Sequence, residues 1–401
     1  MADQFYFSRD TKVFITPKGS TAVGWEIPVL DGFSFSQGTN TSEITLAEMS
    51  DTSGKSRRSR QMFTDSFAPA EWSFSTYMRP FGGGNDNTAT NWEHDDVTTR
   101  QQHAVEEALW AFMVGGDNQS FTVSTDSTAS SWANGVTNTD TNLTIDWTAS
   151  EVANLTEFDI YVELGAATSG NDVCYKIANC AVNEVSIDFD IDGIATLNWS
   201  GFGKSITESG TDAPSFTKTI SEGTTETSNF VRNRLTSMEV TASDSTTFPG
   251  ASSDGVYNMV LTGGNITISN NLTYLLPETL GVVNLPLENV TGTRTVTGNF
   301  TCYLNHETGG SADLLEDIVE ATSVITNDFD TKMIVGGGTS SSPNTPSVQF
   351  KMPNCHFEVP THSFDDIVAV EVNFHALPAS VDPGSTASNY EVEVVYTGAD
   401  L

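Results

Sequence analysis

The sequence predicts a mainly β protein made of two repeated β-sandwich or barrel-like units, each flanked by one α-helix. Apolar and polar residues alternate with period two in segments such as Trp72–Met78 and Ile187–Asp192, and this pattern is typical of half-buried strands. Similar segments recur in the same order in the two halves of the 401-residue chain. Two stretches have helical spacing, Thr98–Val114 and Ser311 to about Ala321.

The repeat is clearest in two pairs of segments. Lys176–Cys180 (KIANC) returns as Lys351–Cys355 (KMPNC), and Phe74–Met78 (FSTYM) is matched by Phe300–Leu304 (FTCYL). In each half the predicted helix lies between these segments. We therefore expect a duplication, since repeated units give this kind of internal similarity. Residues 1–205 form the first unit, residues 206–228 form a linker or arm rich in Ser, Thr, Glu and Gly, and residues 229–401 form the second.

The ends of both helices carry cap residues. Thr98 or Thr99 provides the N-cap of the first helix and Gly115 ends it, while Ser311 provides the N-cap of the second. Connections rich in Gly, Asn and Ser, such as the segment that begins at Phe81, predict turns between strands.

The charge balance is strongly acidic, with 52 acidic and 17 basic residues and a net charge of −35. A disordered acidic tail is excluded, because the chain has 23 Phe and 7 Trp. A protein that grips nucleic-acid phosphates is disfavoured, because its overall field would repel them. The sequence shows no signal peptide and no apolar run that could cross a membrane, so the four cysteines are expected to be free thiols in a reducing cytoplasm.

No pattern of catalytic, cofactor or metal residues emerges. His356 and His362 could share a strand face, but no further ligands complete a zinc site. The segment Asp188–Gly193 resembles the start of a calcium loop, yet Trp199 occupies the position of the bidentate glutamate, so a tight turn at Asp192-Gly193 is favoured. We therefore predict no enzyme activity, no metal and no cofactor.

Four of the basic residues crowd into one short segment, which we expect to be an exposed loop or hairpin tip; they are Lys55, Arg57, Arg58 and Arg60. A solvated loop and a nucleic-acid patch are two interpretations. A third is favoured: a positive loop on an acidic protein would attract an identical neighbour and support head-to-tail stacking.

Several segments resemble the tail tube (major tail) proteins of long-tailed bacteriophages. They are Trp25–Phe35, Ala70–Phe81, Ile194–Gly203 and Asn229–Leu235. The resemblance extends through both copies and rests on strand patterns.

This resemblance implies a structural virion protein whose β units form rings, with the rings stacked head-to-tail into a tail tube. A duplicated chain would form a trimeric ring with pseudo-hexameric character. The channel would be acidic and would let DNA pass into the host without specific binding. The implied partners are further copies of the chain, a tape measure protein, a tail terminator and baseplate or tip proteins, with no membrane. The implied location is the virion tail, assembled in the host cytoplasm.

The resemblance also assigns roles to two groups of residues. The segment Lys55–Arg60 falls where family members carry a stacking loop. Asp188, Asp190 and Asp192 share one face of a predicted strand, opposite Phe189. They are candidates for the channel lining or for plain solvent-facing residues.

Three other classes of protein remain as alternatives. An extracellular acidic β-sandwich surface protein or adhesin fits the composition. A β-sandwich glycosidase would need two carboxylates at a defined separation, and no pair stands out. Another virion component, such as a tail terminator or head decoration protein, is close to the favoured hypothesis.

Overall fold

The computed structural model describes residues 5–46, 52–53, 59–79, 82–83, 101–104, 106–114, 136–137, 142–146, 155–165, 172–190, 192–221, 231–242, 248, 250–251, 255–280, 282–320, 329–336, 347–364, 367–378 and 390–397. The protein is mainly β, with two α-helices in this part of the chain, α1 (Glu107–Val114) and α2 (Ser311–Glu320). One 3-10 turn precedes the first strand of each half, at Ser8–Asp10 and Asn233–Leu235. The predicted mainly β fold class is confirmed.

Twenty-four strands are described, thirteen of them before residue 221. These are β1 (Lys12–Pro17), β2 (Val23–Glu26), β3 (Ser34–Leu46), β4 (Ser59–Tyr77), β5 (Gly82–Gly83), β6 (Gln101–His103), β7 (Val136–Thr137), β8 (Asn142–Asp146), β9 (Phe158–Leu164), β10 (Val173–Asp190), β11 (Thr196–Gly203), β12 (Ser205–Glu208) and β13 (Lys218–Ile220). The others are β14 (Ser237–Ala242), β15 (Val256–Asn258), β16 (Val260–Ser269), β17 (Thr273–Tyr274), β18 (Asn289–Val290), β19 (Thr295–Tyr303), β20 (Phe329–Gly336), β21 (Ser347–Phe357), β22 (Thr361–Phe364), β23 (Val368–Ala376) and β24 (Glu393–Thr397).

The first half consists of two antiparallel ladders that share the long strand β10. The first part of β10 pairs with β9 and β12, and β9 continues to β1 and β2. The second part pairs with β11, which continues to β4 and β3. The strand passes from one ladder to the other at Asn179, whose φ is +52°. A register shift between Ile177 and Cys180 accompanies this change, as expected of a β-bulge that bends a strand.

The second half repeats this order of pairing strand by strand. The strand β21 pairs with β20 and β24 near its start and with β23 near its end. The strand β20 continues to β14 and β15, and β23 continues to β19 and β16. The match extends to single residues: Cys180 lies opposite Phe158 in the first half, and Cys355 lies opposite Phe329 in the second.

Three expectations about local structure differ from what is observed. The first helix begins at Glu107, because Gln101–His103 instead pair as a strand with β5 and β7. Ser311 does not cap α2 with its side chain, since its hydroxyl donates to the carbonyl of Tyr303. The expected linker contributes two strands to the first half, β12 and β13, which pair with β10 and β2.

Aromatic side chains fill the space between the ladders. Trp110 of α1 meets the Trp199 ring edge-on at 4.8 Å, and Phe112 stacks on Phe158 at 4.5 Å. In the second half, Phe329 stacks on Phe357 at 4.7 Å. Such pairs add to the free energy gained from burial. The four cysteines are buried free thiols, as predicted.

A buried, hydrogen-bonded cluster of side chains lies at the start of α1 and connects the two halves. Trp110 Nε1 donates to the hydroxyl of Tyr396, which in turn donates to the carboxyl of Glu106 at 3.2 Å. Burial raises the pKa of Glu106 to about 8, despite the opposing charge of Arg79. Glu106 is therefore largely protonated at neutral pH.

Candidate assembly surfaces

The two halves join through two antiparallel strand pairs, β8 with β24 and β10 with β16. The second part of β10 lies antiparallel to β16, in a register that runs from Glu184 opposite Ser269 to Asp190 opposite Gly263. This contact links the two ladders into one sheet of eight positions: β3, β4, β11, β10, β16, β19, β23, and last β22 with the end of β21. We call this the joint sheet.

The two faces of the joint sheet differ sharply. One face is apolar and packs on the core, with residues such as Ile187, Leu197 and Phe300 fully buried. The opposite face is lined with hydroxyl and amide groups, among them Ser34, Ser73, Ser75, Ser186, Thr196, Asn198, Ser200, Asn265, Thr267, Thr297, Asn299 and Asn373. We call this the polar face.

The charges on the polar face are acidic. Its carboxylates include Glu71, Glu184, Asp188, Asp190 and Glu371. Among the described residues of the joint sheet that point to this side, none is Lys or Arg. Because no described Lys or Arg of the joint sheet points to this side, the described part of the face offers phosphates no positive partner.

Two of the three predicted acidic candidates lie on this face. Asp188 and Asp190 are exposed near the end of β10, and Asn198 Nδ2 lies 3.4 Å from Asp188 Oδ2. Asp192 differs from the expectation, because β10 ends at Asp190 and Asp192 falls in the turn that follows. Its carboxylate lies 3.9 Å from Arg234. The turn itself matches the prediction, with Gly193 at a φ of +116°.

The strands β3 and β4, which flank the predicted basic segment in the sequence, pair as a long hairpin. Their ladder extends to Leu46 opposite Ser59. Arg60 belongs to β4 rather than to a loop, and its guanidinium lies 3.6 Å from Glu43. Its side chain is 72% exposed, so this ion pair contributes little to stability. Lys55, Arg57 and Arg58 lie outside the described residues.

An exposed apolar segment that the sequence reasoning missed lies beside this hairpin. The connection from β16 to β19 exposes eight aliphatic side chains: Leu275, Leu276, Leu280, Val282, Val283, Leu285, Leu287 and Val290. Asn284 in its middle forms backbone hydrogen bonds with Asp65 and Phe67 of β4. The density of Leu and Val in 275–290 was the available signal, but it lacks the period of a helix or strand.

Among the described residues, no cluster of three or more His, Cys, Asp or Glu could hold a metal ion. His356 and His362 are exposed, and His375 lies 3.3 Å from Glu358. Within the same part of the chain, neither helix is long and apolar enough to span a membrane.

The joint sheet has two outer strands. In the described part of the chain, β3 pairs only with β4, and β22 pairs only with β23. Each therefore presents backbone N–H and C=O groups along one side, which is the usual template for adding a strand from another chain.

Comparison with known proteins gives one clear relative. No protein-family model matches the chain. The chain is 27% identical over 385 residues to tail tube protein pb6 of Escherichia phage T5, an alignment that covers 94% of this chain and 73% of the relative. An alignment of this length runs through both halves of the chain. The chain is thus a homologue of a phage tail tube protein, as its strand motifs predicted.

Proposed function

We propose that this protein is a structural component of a phage tail tube, located in the virion tail. The homologous tail tube protein supports this role. We further propose that the halves arose by duplication and that the chain closes into rings by repeating the β10–β16 contact between chains. The observation that supports this second step is the pairing of β10 with β16, because it joins the sheets of the two halves edge to edge within one chain.

Of the two outer strands of the joint sheet, β22 is the counterpart of the second part of β10, and β3 is the counterpart of β16. Ile187 in β10 lies opposite Leu197, and His362 in β22 lies opposite Val370. Leu197 and Val370 hold matching places, because each also faces the residue before the tyrosine of the repeated Phe-X-X-Tyr strand. His362 therefore corresponds to Ile187.

The same comparison relates β3 to β16. Phe35 lies opposite Trp72, and Ile266 lies opposite Gly298. Trp72 and Gly298 each precede the phenylalanine of the Phe-X-X-Tyr strand by two positions. Phe35 therefore corresponds to Ile266.

These matches give the register of the proposed contact. Inside the chain, Ile187 lies opposite Ile266. Between chains, His362 would lie opposite Phe35, Ser363 opposite Ser34, and Phe364 opposite Phe33. The contact is head-to-tail, so that it closes into a ring when the rotation between units allows it.

A ring of three chains would have twenty-four strand positions, since the joint sheet has eight. With strands about 4.8 Å apart, the wall would be at least about 37 Å across between backbones, and strand tilt would widen it. Side-chain layers of about 5 Å on each side leave about 27 Å, enough for duplex DNA about 20 Å wide. This width supports the trimeric, pseudo-hexameric ring.

The polar face would line the channel. Its carboxylates would repel DNA phosphates, and its hydroxyl and amide groups offer only weak neutral contacts, so DNA would pass without being held. The other side of each unit would face outward. The role proposed here is structural rather than enzymatic, and it needs no cofactor.

Stacking of the rings would use the hairpin of β3 and β4 with its basic residues Lys55, Arg57, Arg58 and Arg60. A positive tip would be attracted to the acidic surface of the adjacent ring. At its ends, the tube would meet a tape measure protein, a tail terminator and baseplate or tip proteins. Assembly would take place in the host cytoplasm.

The ring is tested by a cysteine pair, Ser34→Cys with Ser363→Cys. Directly opposed residues in an antiparallel pair have Cβ atoms about 4.5–5.5 Å apart, close enough to form a disulfide after small adjustment. Mild oxidation of assembled protein should give covalent dimers and a closed trimer on non-reducing gels. Background linking should be low, since burial raises the pKa of Cys302 to about 11 and of Cys355 to about 12.

The matched control moves one cysteine to the far strand, Ser73→Cys with Ser363→Cys. Ser73 lies on the same polar face but one strand further away. It should give no link. If the Ser34→Cys, Ser363→Cys variant forms rings or tubes by negative-stain microscopy but stays monomeric on the non-reducing gel after oxidation, closure by this edge pairing is refuted.

A further inference from the structure

We propose that the segment Phe5–Ser8 of one chain packs against Leu304, Ile367 and Val368 of the neighbouring chain in the ring. The partner is a second copy of this protein. The inference rests on the proposed ring and adds a second contact to it, away from the sheet edges.

The template for this contact lies inside the chain, at the start of the second half. Val231 lies between the ends of β4 and β11, where its N–H donates to Met78 O at 3.3 Å and its carbonyl accepts from Ala195 N at 2.9 Å. The next residue, Arg232, forms an antiparallel bridge with Ile194. The beginning of the second half is therefore tied to the end of the first-half sheet.

The first half begins with a segment of the same form. Thr11 follows the 3-10 turn Ser8–Asp10, and Thr236 follows the 3-10 turn Asn233–Leu235. Both threonine N–H groups donate to the first carbonyl of their turn. Counting back from these threonines, Phe7 corresponds to Arg232.

The second half has a surface that corresponds to Met78 and Ala195. Met78 N donates to Ala195 O at 2.8 Å, and Leu304 N donates to Val368 O at 3.0 Å at the matching ends of β19 and β23. By the same match, Ile367 corresponds to Ile194. Among the described residues, no backbone segment repeats there the hydrogen bonds that Val231 makes in the first half.

Exposure separates the covered site from its uncovered counterpart. Met78 is 0% exposed and its counterpart Leu304 is 37% exposed, while Ala195 is buried and its counterpart Val368 is half-buried. Ile367 is 60% exposed, against 37% for its counterpart Ile194. The proposed cover is also apolar and exposed, with Phe5 at 61% and Phe7 at 40%. Burying these four side chains against one another would provide a hydrophobic gain that the monomer lacks.

The chemistry of the pair fits its proposed place. Inside the chain the bridge joins Ile194 to the exposed Arg232. Between chains the bridge would join Ile367 to Phe7, so that the apolar aromatic side chain of Phe7 takes the place of the charged side chain of Arg232. This replacement would strengthen a contact that forms only on assembly, because the free energy of association would come from burial of side chains as well as from backbone hydrogen bonds.

The test is the cysteine pair Phe7→Cys with Ile367→Cys, oxidised in assembled protein. We expect intermolecular disulfides that give dimers and trimers on non-reducing gels. The matched control is Phe7→Cys with Leu280→Cys, since Leu280 is 98% exposed and lies in the β16–β19 connection. The control should stay monomeric.

The Ser34–Ser363 cysteine pair distinguishes this inference from the ring itself. If that pair links but Phe7–Ile367 does not, the ring stands and the docking of Phe5–Ser8 is wrong. A Phe7–Ile367 disulfide within one chain would also overturn the docking of Phe5–Ser8. If neither cysteine pair links neighbouring chains, the docking is wrong as well, because the ring that it needs is absent.

A second measurement does not depend on disulfide geometry. Leu304→Glu should raise the protein concentration needed for assembly about tenfold or more, a change that corresponds to about 1.4 kcal/mol. Val319→Glu on α2, where Val319 is 51% exposed, is the control and should assemble as the unmodified protein does. Equal assembly of the two variants would contradict the proposal.

Discussion

Ile187 of β10 lies directly opposite Ile266 of β16, and both side chains are fully buried. This pair joins the two halves of the chain edge to edge, so that one continuous sheet carries one apolar and one polar face. The arrangement explains how a chain with repeated pairing order can act as a segment of a larger wall. In the described part of the chain, the outer strands β3 and β22 each pair on one side, whereas the inner strands β10 and β16 pair on both sides.

Asn270 is expected to be a main hydrogen-bonding link between the halves. Its Nδ2 donates to Met113 O near the end of α1 and to Val182 O of β10, both at 3.1 Å. Asn270→Ala would leave two buried carbonyls without this donor and should lower the free energy of unfolding by about 1–3 kcal/mol. Denaturant unfolding measures the change. The control Asn299→Ala removes a half-buried amide whose hydrogen bond to Glu371 lies at the solvent-exposed surface, so it should change stability little; an equal loss in both variants would contradict this role.

Glu106 should make the protein less stable as pH rises. Burial raises its folded pKa from 4.5 to about 8. Between these values the folded state holds a proton that the unfolded state releases, so the contribution of Glu106 to stability is fully present below pH 4.5 and is lost as pH approaches 8, by up to about 1.4 kcal/mol per pH unit. Glu106→Gln should remove this slope. The free energy of unfolding is measured for both proteins at pH 5, 6.5 and 8. If it changes with pH equally in the unmodified protein and in Glu106→Gln, Glu106 is ionised in the folded state.

The acidic residues of the polar face should keep DNA from binding. Assembled tubes of the unmodified protein should not retain DNA, whereas tubes with Asp188→Lys and Asp190→Lys should bind it in a salt-dependent way. A DNA retention assay at low and moderate salt measures this. The control Glu208→Lys with Asp212→Lys makes the same charge change at β12 and the turn beyond it. DNA retention by the control but not by the β10 variant would place the channel surface elsewhere.

The basic hairpin should be needed for growth of the tube but not for folding. Arg57→Glu with Arg58→Glu would turn attraction between rings into repulsion, so rings or monomers should accumulate at an unchanged melting temperature. Arg232→Glu with Arg234→Glu is a control with the same charge change at two exposed arginines. Negative-stain microscopy counts the tubes. Tubes of normal length in the Arg57–Arg58 variant would exclude this stacking role.

The sequence was most informative where local pattern and three-dimensional structure agree. The Asn-Cys repeat identified two strands that place Cys180 and Cys355 opposite equivalent phenylalanines. The alternation in Ile187–Asp190 correctly separated a buried face from an exposed one. These features follow from the two-residue period of a strand, which a sequence displays directly.

The sequence was least informative where distant segments decide the structure. Gln101–His103 have helical spacing with the residues that follow, but they pair with β5 and β7. The expected linker supplied β12 and β13 for the same reason. The β10–β16 contact and the apolar 275–290 connection were also missed, because pairing between distant strands is set by packing that no local pattern records.

The central claim is that the ring closes by repeating the β10–β16 pairing, and a cryo-electron microscopy map of the assembled protein tests it most directly. We expect three chains per ring and a continuous wall of twenty-four strand positions, with β22 antiparallel to β3 of the next chain and Ser363 opposite Ser34. A ring in which β3 and β22 both face solvent, or meet other strands, would contradict it.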